Sequence, residues 1–214
     1  TGDHAVGRVI ARPFIGETKE TFRRTSNRRD YPLVAPAHTL LDLLVAAGYS
    51  VYATGKIDDL FGHRGITHSY HTVDNNESIQ AGIRFLDEDF SGLLISNLIE
   101  FDMIYGHRND VNGYANLIEK FDAYIPTIQQ HLKLGDAVII VADHGVDPTT
   151  PSTDHSREYI PLLVFGPKVK RAVRLGDRNS FSDVAATIAE NFALSHPVPG
   201  TSFLMDITNQ EYFV

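Results

Sequence analysis

The sequence contains no cysteine and no tryptophan, and its longest unbroken apolar run is six residues, Ala137 to Ala142. Without cysteine there can be no disulfide scaffold, no thiolate metal site and no cysteine nucleophile. A membrane-spanning helix needs about 20 apolar residues, so none is expected. No apolar stretch follows Thr1, as a secretory signal would require. We therefore expect a soluble cytoplasmic protein with no membrane partner.

Negative charge is in excess, because 19 basic residues stand against 27 acidic ones, a net charge of −8. This balance argues against nucleic acid as a partner. The 214 residues are 43% apolar, which suffices for one compact domain or for one domain plus a fragment of another. Seven of the 19 basic residues lie between Arg8 and Arg29, and two prolines follow, as in a linker. We therefore expect residues up to about 34 to differ in structure from the rest.

Apolar residues recur at two spacings that alternate along the chain. Helical spacing follows Thr39, which with Asp42 forms a capping pair at the start of one helix. Pro126 should kink or divide a second helical stretch, and a last helix is expected to begin near Ser180. Five short runs are typical of strands: Arg8–Ala11, Ser50–Thr54, Leu93–Ile99, Ala137–Ala142 and Leu162–Phe165. Helices that alternate with apolar strands predict an α/β fold, with a largely parallel sheet flanked by helices.

Polar side chains follow three of these strands at the point where each strand ends. They are Gly55–Lys56, Glu100–His107 and Asp143–Gly145. Ligands of open parallel sheets bind at the carboxyl ends of the strands. We therefore expect these side chains to lie along one edge of the sheet.

Five of the residues at or near this edge are candidate metal ligands: Asp102, His107, Asp143, His144 and His155. Asp and His together are ligands that suit Zn, Mn or Fe. For Asp143 and His144, an Asp that caps a turn next to a packed His is an equally good explanation. Taken alone, the pair Asp102 and His107 is explained more simply by a turn-forming Asp and a surface His. His155 alone is explained more simply as part of a solvated loop. Together, five ligands exceed one tetrahedral site and suggest two adjacent metals, the usual apparatus of phosphoryl transfer.

Candidate phosphate-binding cations occur in two places. Lys56 follows a strand, but it is followed by Ile57 and does not belong to a P-loop, so a lysine that merely ends a strand is equally possible. The arginines near the start are a solvated basic face or a phosphate clamp, since Arg makes bidentate contacts with phosphate oxygens. These are Arg8, Arg12, Arg23 and Arg24.

Short motifs run in one order over nearly the whole sequence: Gly7–Phe14, Arg24–Thr25, Gly55–Ile57, Phe101–Asp102, Gly106–Arg108, Ala142–Gly145, Asp147–Pro148, Thr153–His155 and Arg157–Glu158. With them the chain resembles the C-terminal part of the phosphopentomutase family, within the alkaline-phosphatase superfamily. The resemblance implies an alkaline-phosphatase-like core that lacks its N-terminal portion. Residues 1–34 would be the C-terminal remnant of the cap domain, and residues 35–214 the C-terminal part of the metal-binding core.

The resemblance also implies a chemistry. Such an enzyme carries two Mn²⁺ ions, or Zn²⁺ or another divalent cation, and acts on small-molecule pentose phosphates. It interconverts ribose 1-phosphate or deoxyribose 1-phosphate and the 5-phosphate, through a phosphothreonine enzyme and a bisphosphate intermediate. By motif, Asp102, His107 and His155 would hold one metal, and Asp143 and His144 the other. The substrate phosphate would be bound by Arg8, Arg24 and Lys56.

The sequence departs from this family at its start. The family's first strand, with a further metal-ligating Asp, and its threonine nucleophile are absent, and Thr149, Thr150 and Thr153 lack the nucleophile's context. We therefore expect no catalytic nucleophile in this chain, weakened metal binding at Asp143 and His144, and no mutase turnover by the chain alone. Three alternatives stay open: a metal-dependent phosphatase, a phosphoglycerate mutase of the same superfamily, and a non-catalytic metal-binding module.

Overall fold

The computed structural model of the protein describes residues 6–25, 29–33, 35, 37–195 and 198–208. The predicted linker proline Pro36 lies outside these residues, and so does the side chain of Arg24.

The first part of the described chain consists of two short antiparallel ladders. Strand β1 (Arg8–Ala11) pairs with β4 (Arg29–Pro32), and β2 (Phe14–Ile15) pairs with β3 (Arg23–Arg24). The predicted strand at Arg8–Ala11 is confirmed. Several large apolar side chains of this region are more than half exposed, with exposed fractions of 57% for Val9, 58% for Phe14, 63% for Ile15 and 60% for Tyr31. They bury little apolar surface within the described residues, in contrast to those of the α/β region that follows.

Helix α1 (Leu40–Ala46) opens the α/β region and begins as the sequence predicted. Thr39 accepts a hydrogen bond from the backbone N–H of Asp42, and the Asp42 carboxylate accepts one from the backbone N–H of Thr39. This reciprocal capping box satisfies two N–H groups that have no partner within the helix. Gly48 follows the helix at a φ of 89°, a left-handed conformation that glycine adopts without steric cost.

Arg64 ties the segment before α1 to the helix. Its guanidinium donates to the Asp42 carboxylate at 2.9 Å and to the carbonyl oxygens of Ala35 at 2.7 Å and Ala37 at 3.0 Å. Burial raises the pKa of Asp42, but its hydrogen bonds to Thr39 and the Arg64 charge outweigh burial and leave that pKa below its usual value. The chain therefore enters the α/β region along a fixed path.

Strand β5 (Ser50–Thr54) is the centre of a parallel sheet, with β6 (His68–Tyr70) on one side and β7 (Gly92–Ser96) on the other. Residues 51–54 are all buried, as expected of a parallel strand covered on both faces. Helix α2 (Ile57–Leu60) follows β5, and α3 (Asn75–Leu86) connects β6 to β7. The predicted α/β fold with a parallel sheet flanked by helices is confirmed, although the strand predicted over Leu93–Ile99 ends at Ser96.

Two helices, α4 (Val111–Asp122) and α5 (Ile125–His131), follow the parallel sheet and precede a separate two-stranded ladder. Pro126 stands at the start of α5, so the predicted division of that helical stripe is confirmed. Strand β8 (Val138–Val141) pairs antiparallel with β9 (Leu162–Phe165) and, among the described residues, with no other strand. We expected this strand to belong to the parallel sheet because helices and strands alternate along the chain. A continuous apolar run does not indicate whether the neighbouring strand is parallel or antiparallel.

The core lies between α1, β5 and helix α6 (Ser182–Asn191), which is followed by the short α7 (Leu204–Ile207). Leu41, Leu44 and Val51 form its buried centre, and Ile188 and Phe192 pack against them. Burying one such leucine contributes about 2 kcal/mol. Helix α7 was not predicted, because four residues are too few to establish a helical period. No helix in the described part of the chain has the length and apolar character that a bilayer crossing requires.

Candidate metal centre

The segment that follows β7 consists of two short helical turns. Residues Phe101–Tyr105 form a π-helical turn, and Gly106–Arg108 continue as a 3₁₀ turn. In a π-helical turn the hydrogen bonds join residues five apart, here from the N–H of Gly106 to the carbonyl of Phe101. Across these two turns, Nε2 of His107 lies 3.2 Å from Oδ1 of Asp102.

His155 reaches the same carboxylate oxygen from a distant loop. Its Nε2 lies 3.1 Å from Oδ1 of Asp102. One ligand atom from each of Asp102, His107 and His155 lies within 4.8 Å of the other two. Metal–ligand distances of about 2.0–2.2 Å for imidazole and carboxylate ligands allow one ion to contact all three. Two imidazoles and one carboxylate form a donor set that suits a divalent transition metal, so these residues fit such an ion.

The protonated nitrogen of His107 is fixed by a second contact. Its Nδ1 lies 2.6 Å from the carbonyl oxygen of Thr153. A carbonyl oxygen can only accept, so Nδ1 carries the hydrogen and the neutral ring keeps its lone pair on Nε2, which faces Asp102. Metal-binding histidines are commonly oriented by a carbonyl in this way.

A further residue, Asn109, joins the same two loops, although no sequence pattern singled it out. Asn109 has a φ of 51°, and its side-chain amide donates to the carbonyl oxygen of Thr150 at 2.9 Å. Only the tolerance of asparagine for left-handed backbone could have suggested a turn there. The contact of Asn109 with Thr150 and that of His107 with Thr153 hold the loop around residues 150–155 against the 106–109 turn.

Asp143 and His144 lie beside the three-residue group but do not belong to it. Nδ1 of His144 donates to the carbonyl oxygen of Gly145 at 3.1 Å, and its Nε2 lies 3.6 Å from Oδ1 of Asp143. The His144 ring stacks on the His155 ring with centroids 3.6 Å apart, and the Asp143 side chain is 77% exposed. The structure thus gathers Asp102, His107 and His155, and it places His144, with Asp143 next to it, against His155. The division of these residues between two metals stays a prediction.

Tyr114 of α4 borders this group. Its ring packs edge-on against Phe101 at a centroid distance of 5.4 Å. Burial raises the pKa of the Tyr114 phenol, and the negative charge of Asp102 raises it further. Tyr114 is therefore a neutral, partly buried wall of the site at physiological pH.

Of the predicted phosphate-binding residues, Lys56 contacts a neighbour of this group. Gly55 adopts a φ of 74° and allows the chain to turn after β5, and Lys56 Nζ then lies 3.7 Å from the sulfur of Met103, the residue next to Asp102. Arg8 lies on the exposed strand β1. The Arg24 side chain lies outside the described residues.

Two of the threonines in the nearby loop cap a turn. The Thr149 hydroxyl donates to the Asp147 carboxylate at 2.6 Å, and the Thr150 hydroxyl donates to the Asp147 carbonyl oxygen at 2.9 Å. The side-chain and backbone hydrogen bonds from Thr149 hold the pKa of Asp147 below its usual value. Local structure thus accounts for both hydroxyls, and the absence of a nucleophile among these threonines stays a prediction.

Residues 24–196 match the Metalloenzyme superfamily. The chain belongs to that superfamily, a class whose members bind divalent metals, and the group of Asp102, His107 and His155 offers such a metal a site.

Within that class, the chain is similar to curated phosphopentomutases. It is 61% identical over 206 residues to the phosphopentomutase of Herpetosiphon aurantiacus, covering 96% of this chain and 53% of that protein. The phosphopentomutase of Caldanaerobacter subterraneus is 55% identical over 206 residues, covering 96% of this chain and 52% of that protein. The chain thus spans about half the length of these relatives, and the resemblance predicted from its motifs is confirmed.

Two solved structures share the fold. A phosphoglycerate mutase of Leishmania mexicana, solved at low cobalt concentration, has a TM-score of 0.55 and 18% identity, covering 73% of this chain and 37% of that one. The PH0037 protein of Pyrococcus horikoshii has a TM-score of 0.54 and 16% identity, covering 85% of this chain and 58% of that one. At these identities the likeness concerns the fold alone.

Proposed function

We propose that the protein is a phosphopentomutase, which interconverts ribose 1-phosphate or deoxyribose 1-phosphate and the corresponding 5-phosphate. The observation that carries this proposal is the 61% identity to a curated phosphopentomutase over 96% of the chain. Within the proposed function, residues 1–34 are the C-terminal remnant of a cap domain, and residues 35–214 are the C-terminal part of the metal-binding core.

In this proposal Asp102, His107 and His155 hold one Mn²⁺ ion, and Asp143 and His144 contribute to a second. The 4.8 Å limit on the distances within the first set supports one ion there. The stacking of His144 on His155 at 3.6 Å supports a second ion close to the first. Zn²⁺ accepts the same donors and is the alternative metal. The bound ions supply positive charge that stabilises the phosphoryl group during transfer.

The chain's own residues bind and orient the substrate. Lys56, held 3.7 Å from Met103 and therefore close to Asp102, binds the substrate phosphate as a point charge. Arg8 and Arg24 bind the same phosphate, as the motif resemblance implies. Thr153 contributes through its carbonyl oxygen, which keeps the Nδ1 hydrogen of His107 in place and directs Nε2 into the site.

The phosphoryl group passes through a phosphothreonine and a pentose bisphosphate. The threonine belongs to the part of the relatives that this chain does not span, so no residue of this chain is proposed as the nucleophile. When the threonine takes up the phosphoryl group, a bond forms between the threonine oxygen and phosphorus. The bond between phosphorus and the sugar oxygen that carried the group breaks. A metal-dependent phosphatase would use the same ligands but would transfer the group to water.

The test is a comparison of two proteins incubated with Mn²⁺ and ribose 1-phosphate and followed by ³¹P NMR. One is the 214-residue chain. The other is a hybrid in which this chain replaces the matching half of the Herpetosiphon aurantiacus phosphopentomutase, with His155→Ala in the hybrid as the inactive control. We expect ribose 5-phosphate from the hybrid without release of inorganic phosphate, and no turnover by the chain alone.

If the hybrid mainly releases inorganic phosphate, the protein is a phosphatase and the proposed mutase function is wrong. Turnover by the 214-residue chain alone would overturn the assignment of the nucleophile to a segment outside it. A folded, metal-loaded hybrid without either activity would leave the non-catalytic metal-binding module as the function.

A further inference from the structure

The backbone just before Asp102 is tied to the start of helix α3 by a reciprocal pair of hydrogen bonds. The backbone N–H of Asn75 donates to Oε2 of Glu100 at 2.8 Å, and the backbone N–H of Glu100 donates to Oδ1 of Asn75 at 3.1 Å. Asn75 is 4% exposed. The two residues are 25 positions apart in the sequence, so this pair is a tertiary contact and not part of one turn.

Each half of the pair meets a specific need. Asn75 is the first residue of α3, and its N–H has no acceptor within the helix. The Glu100 carboxylate supplies that acceptor, and a negative charge at a helix start is favourable. Glu100 in turn immediately precedes the π-helical turn of residues 101–105, so the bond from its N–H fixes where that turn begins.

Neighbouring contacts hold the same segment. The N–H of Asn97 donates to the carbonyl of Thr54 at 3.3 Å, and the N–H of Met103 donates to the carbonyl of Ile99 at 3.0 Å. The backbone around Glu100 therefore has one defined path from β7 to Asp102. The Asp102 side chain has only two rotatable bonds, so a displacement of this path moves its carboxylate relative to His107 and His155.

We propose that Glu100 and Asn75 are positioning residues for the metal ligand Asp102. They do not contact the ion, but they set the place of its carboxylate through the backbone that they hold. Ligand sets lose function when they are displaced by more than about 0.5 Å, which a loosened connection readily allows. This inference rests on the proposed metal site and concerns binding of the ion, whatever reaction the site performs.

The test is calorimetric titration of the purified protein with Mn²⁺, together with thermal unfolding of the metal-free form. Glu100→Ala removes the acceptor for Asn75, Asn75→Ala removes the acceptor for Glu100, and Glu100→Gln keeps an oxygen that can accept. Glu77→Ala is the matched control, because Glu77 also accepts a backbone N–H near the start of α3, from Val73 at 2.9 Å. Loss of an outer contact of a metal ligand typically weakens binding by about 10-fold to 100-fold.

We expect Mn²⁺ binding to weaken about tenfold in Glu100→Ala and in Asn75→Ala, and to stay within about twofold of wild type in Glu100→Gln and Glu77→Ala. The double variant should lose no more than either single one, because the pair acts as a unit. Unchanged affinity in both alanine variants would overturn the inference, as would an equal loss in Glu77→Ala. If Glu100→Ala does not fold, Glu100→Asp, whose shorter side chain cannot reach Asn75, takes its place with the same expectation. Absence of Mn²⁺ binding by the wild type would refute the metal site itself.

Discussion

Nδ1 of His107 donates a hydrogen bond to the carbonyl oxygen of Thr153 at 2.6 Å, across 46 residues of sequence. This contact joins the turn after β7 to the loop after β8, and it fixes which ring nitrogen faces Asp102. Because the acceptor is a backbone oxygen, no side-chain substitution at position 153 removes it. The orientation of the histidine is therefore built into the path of the loop.

The first prediction concerns this histidine. His107→Ala removes one of the three ligands gathered around Asp102 and should weaken Mn²⁺ binding at least about tenfold. His131→Ala is the matched control, because that histidine also bonds through Nδ1, to the Asp87 carboxylate at 2.6 Å, away from the site. Calorimetric titration with Mn²⁺ measures both affinities, and an equal loss in the two variants would count against a ligand role for His107.

The second prediction concerns Lys56. Lys56→Ala removes the cation held beside Met103, and loss of a charge-assisted hydrogen bond to phosphate costs about 1.5–3 kcal/mol, roughly 10-fold to 100-fold in affinity. We expect that weakening for ribose 5-phosphate, measured by calorimetry on the Mn²⁺-loaded protein. Lys120→Ala, on the exposed face of α4, should bind as wild type does. Unchanged affinity in Lys56→Ala would exclude Lys56 from the phosphate site.

The third prediction uses two glycines with similar backbone. Gly48 has a φ of 89° with open space where a Cβ would stand, whereas a Cβ at Gly55, with a φ of 74°, would lie 2.5 Å from the carbonyl oxygen of Asn97. Gly48→Ala should lower the free energy of unfolding by about 1 kcal/mol for the left-handed backbone alone. Gly55→Ala should cost about 1–3 kcal/mol more because the turn must move. Equal losses in urea unfolding would show that the turn before Lys56 is not closely packed.

The fourth prediction is a pH dependence. Nδ1 of His63 bonds to the Asp58 carboxylate at 2.9 Å, and this bond, with the charges of Asp58 and then Asp59, raises the His63 pKa above its ordinary value. A raised folded-state pKa stabilises the protein fully below the unfolded pKa of about 6.5, and the gain is lost as pH rises through the folded pKa.

The difference in unfolding free energy between wild type and His63→Ala should therefore be larger at pH 5.5 than at pH 8.5. The Asp58→Asn background removes the charge but keeps an acceptor for the Ser69 hydroxyl, which bonds to Asp58 at 3.1 Å. In that background the pH dependence should largely disappear. A difference that is the same at both pH values would contradict the ion pair.

Sequence patterns predicted those elements of the fold whose local signals were strong. The capping pair at Thr39, the break at Pro126 and the buried run of β5 each depend on neighbours within a few residues, and all three are confirmed. Strand β6 and the four-residue helix α7 were missed, since such short elements show no period. The direction of β8 relative to β9 is set by tertiary contacts that no local pattern records.

The candidate site divides in the same way. The five ligand candidates could be proposed because carboxylates and imidazoles at or after the ends of predicted strands are chemically conspicuous. The residues that orient them could not be found, because Asn109 acts on Thr150 and Glu100 on Asn75 through backbone groups brought together only by the fold. Asp102 and His107 converge through a π-helical turn that continues as a 3₁₀ turn, an arrangement that their spacing permitted but did not determine.

Elemental analysis of protein loaded with Mn²⁺ and freed of excess metal by gel filtration tests the shared ion most directly. Wild type and His155→Ala are compared, with His131→Ala as the control. We predict that wild type and the control retain equal amounts of Mn²⁺ and that His155→Ala retains clearly less. Identical metal content in wild type and His155→Ala would contradict a metal ion that Asp102, His107 and His155 hold together.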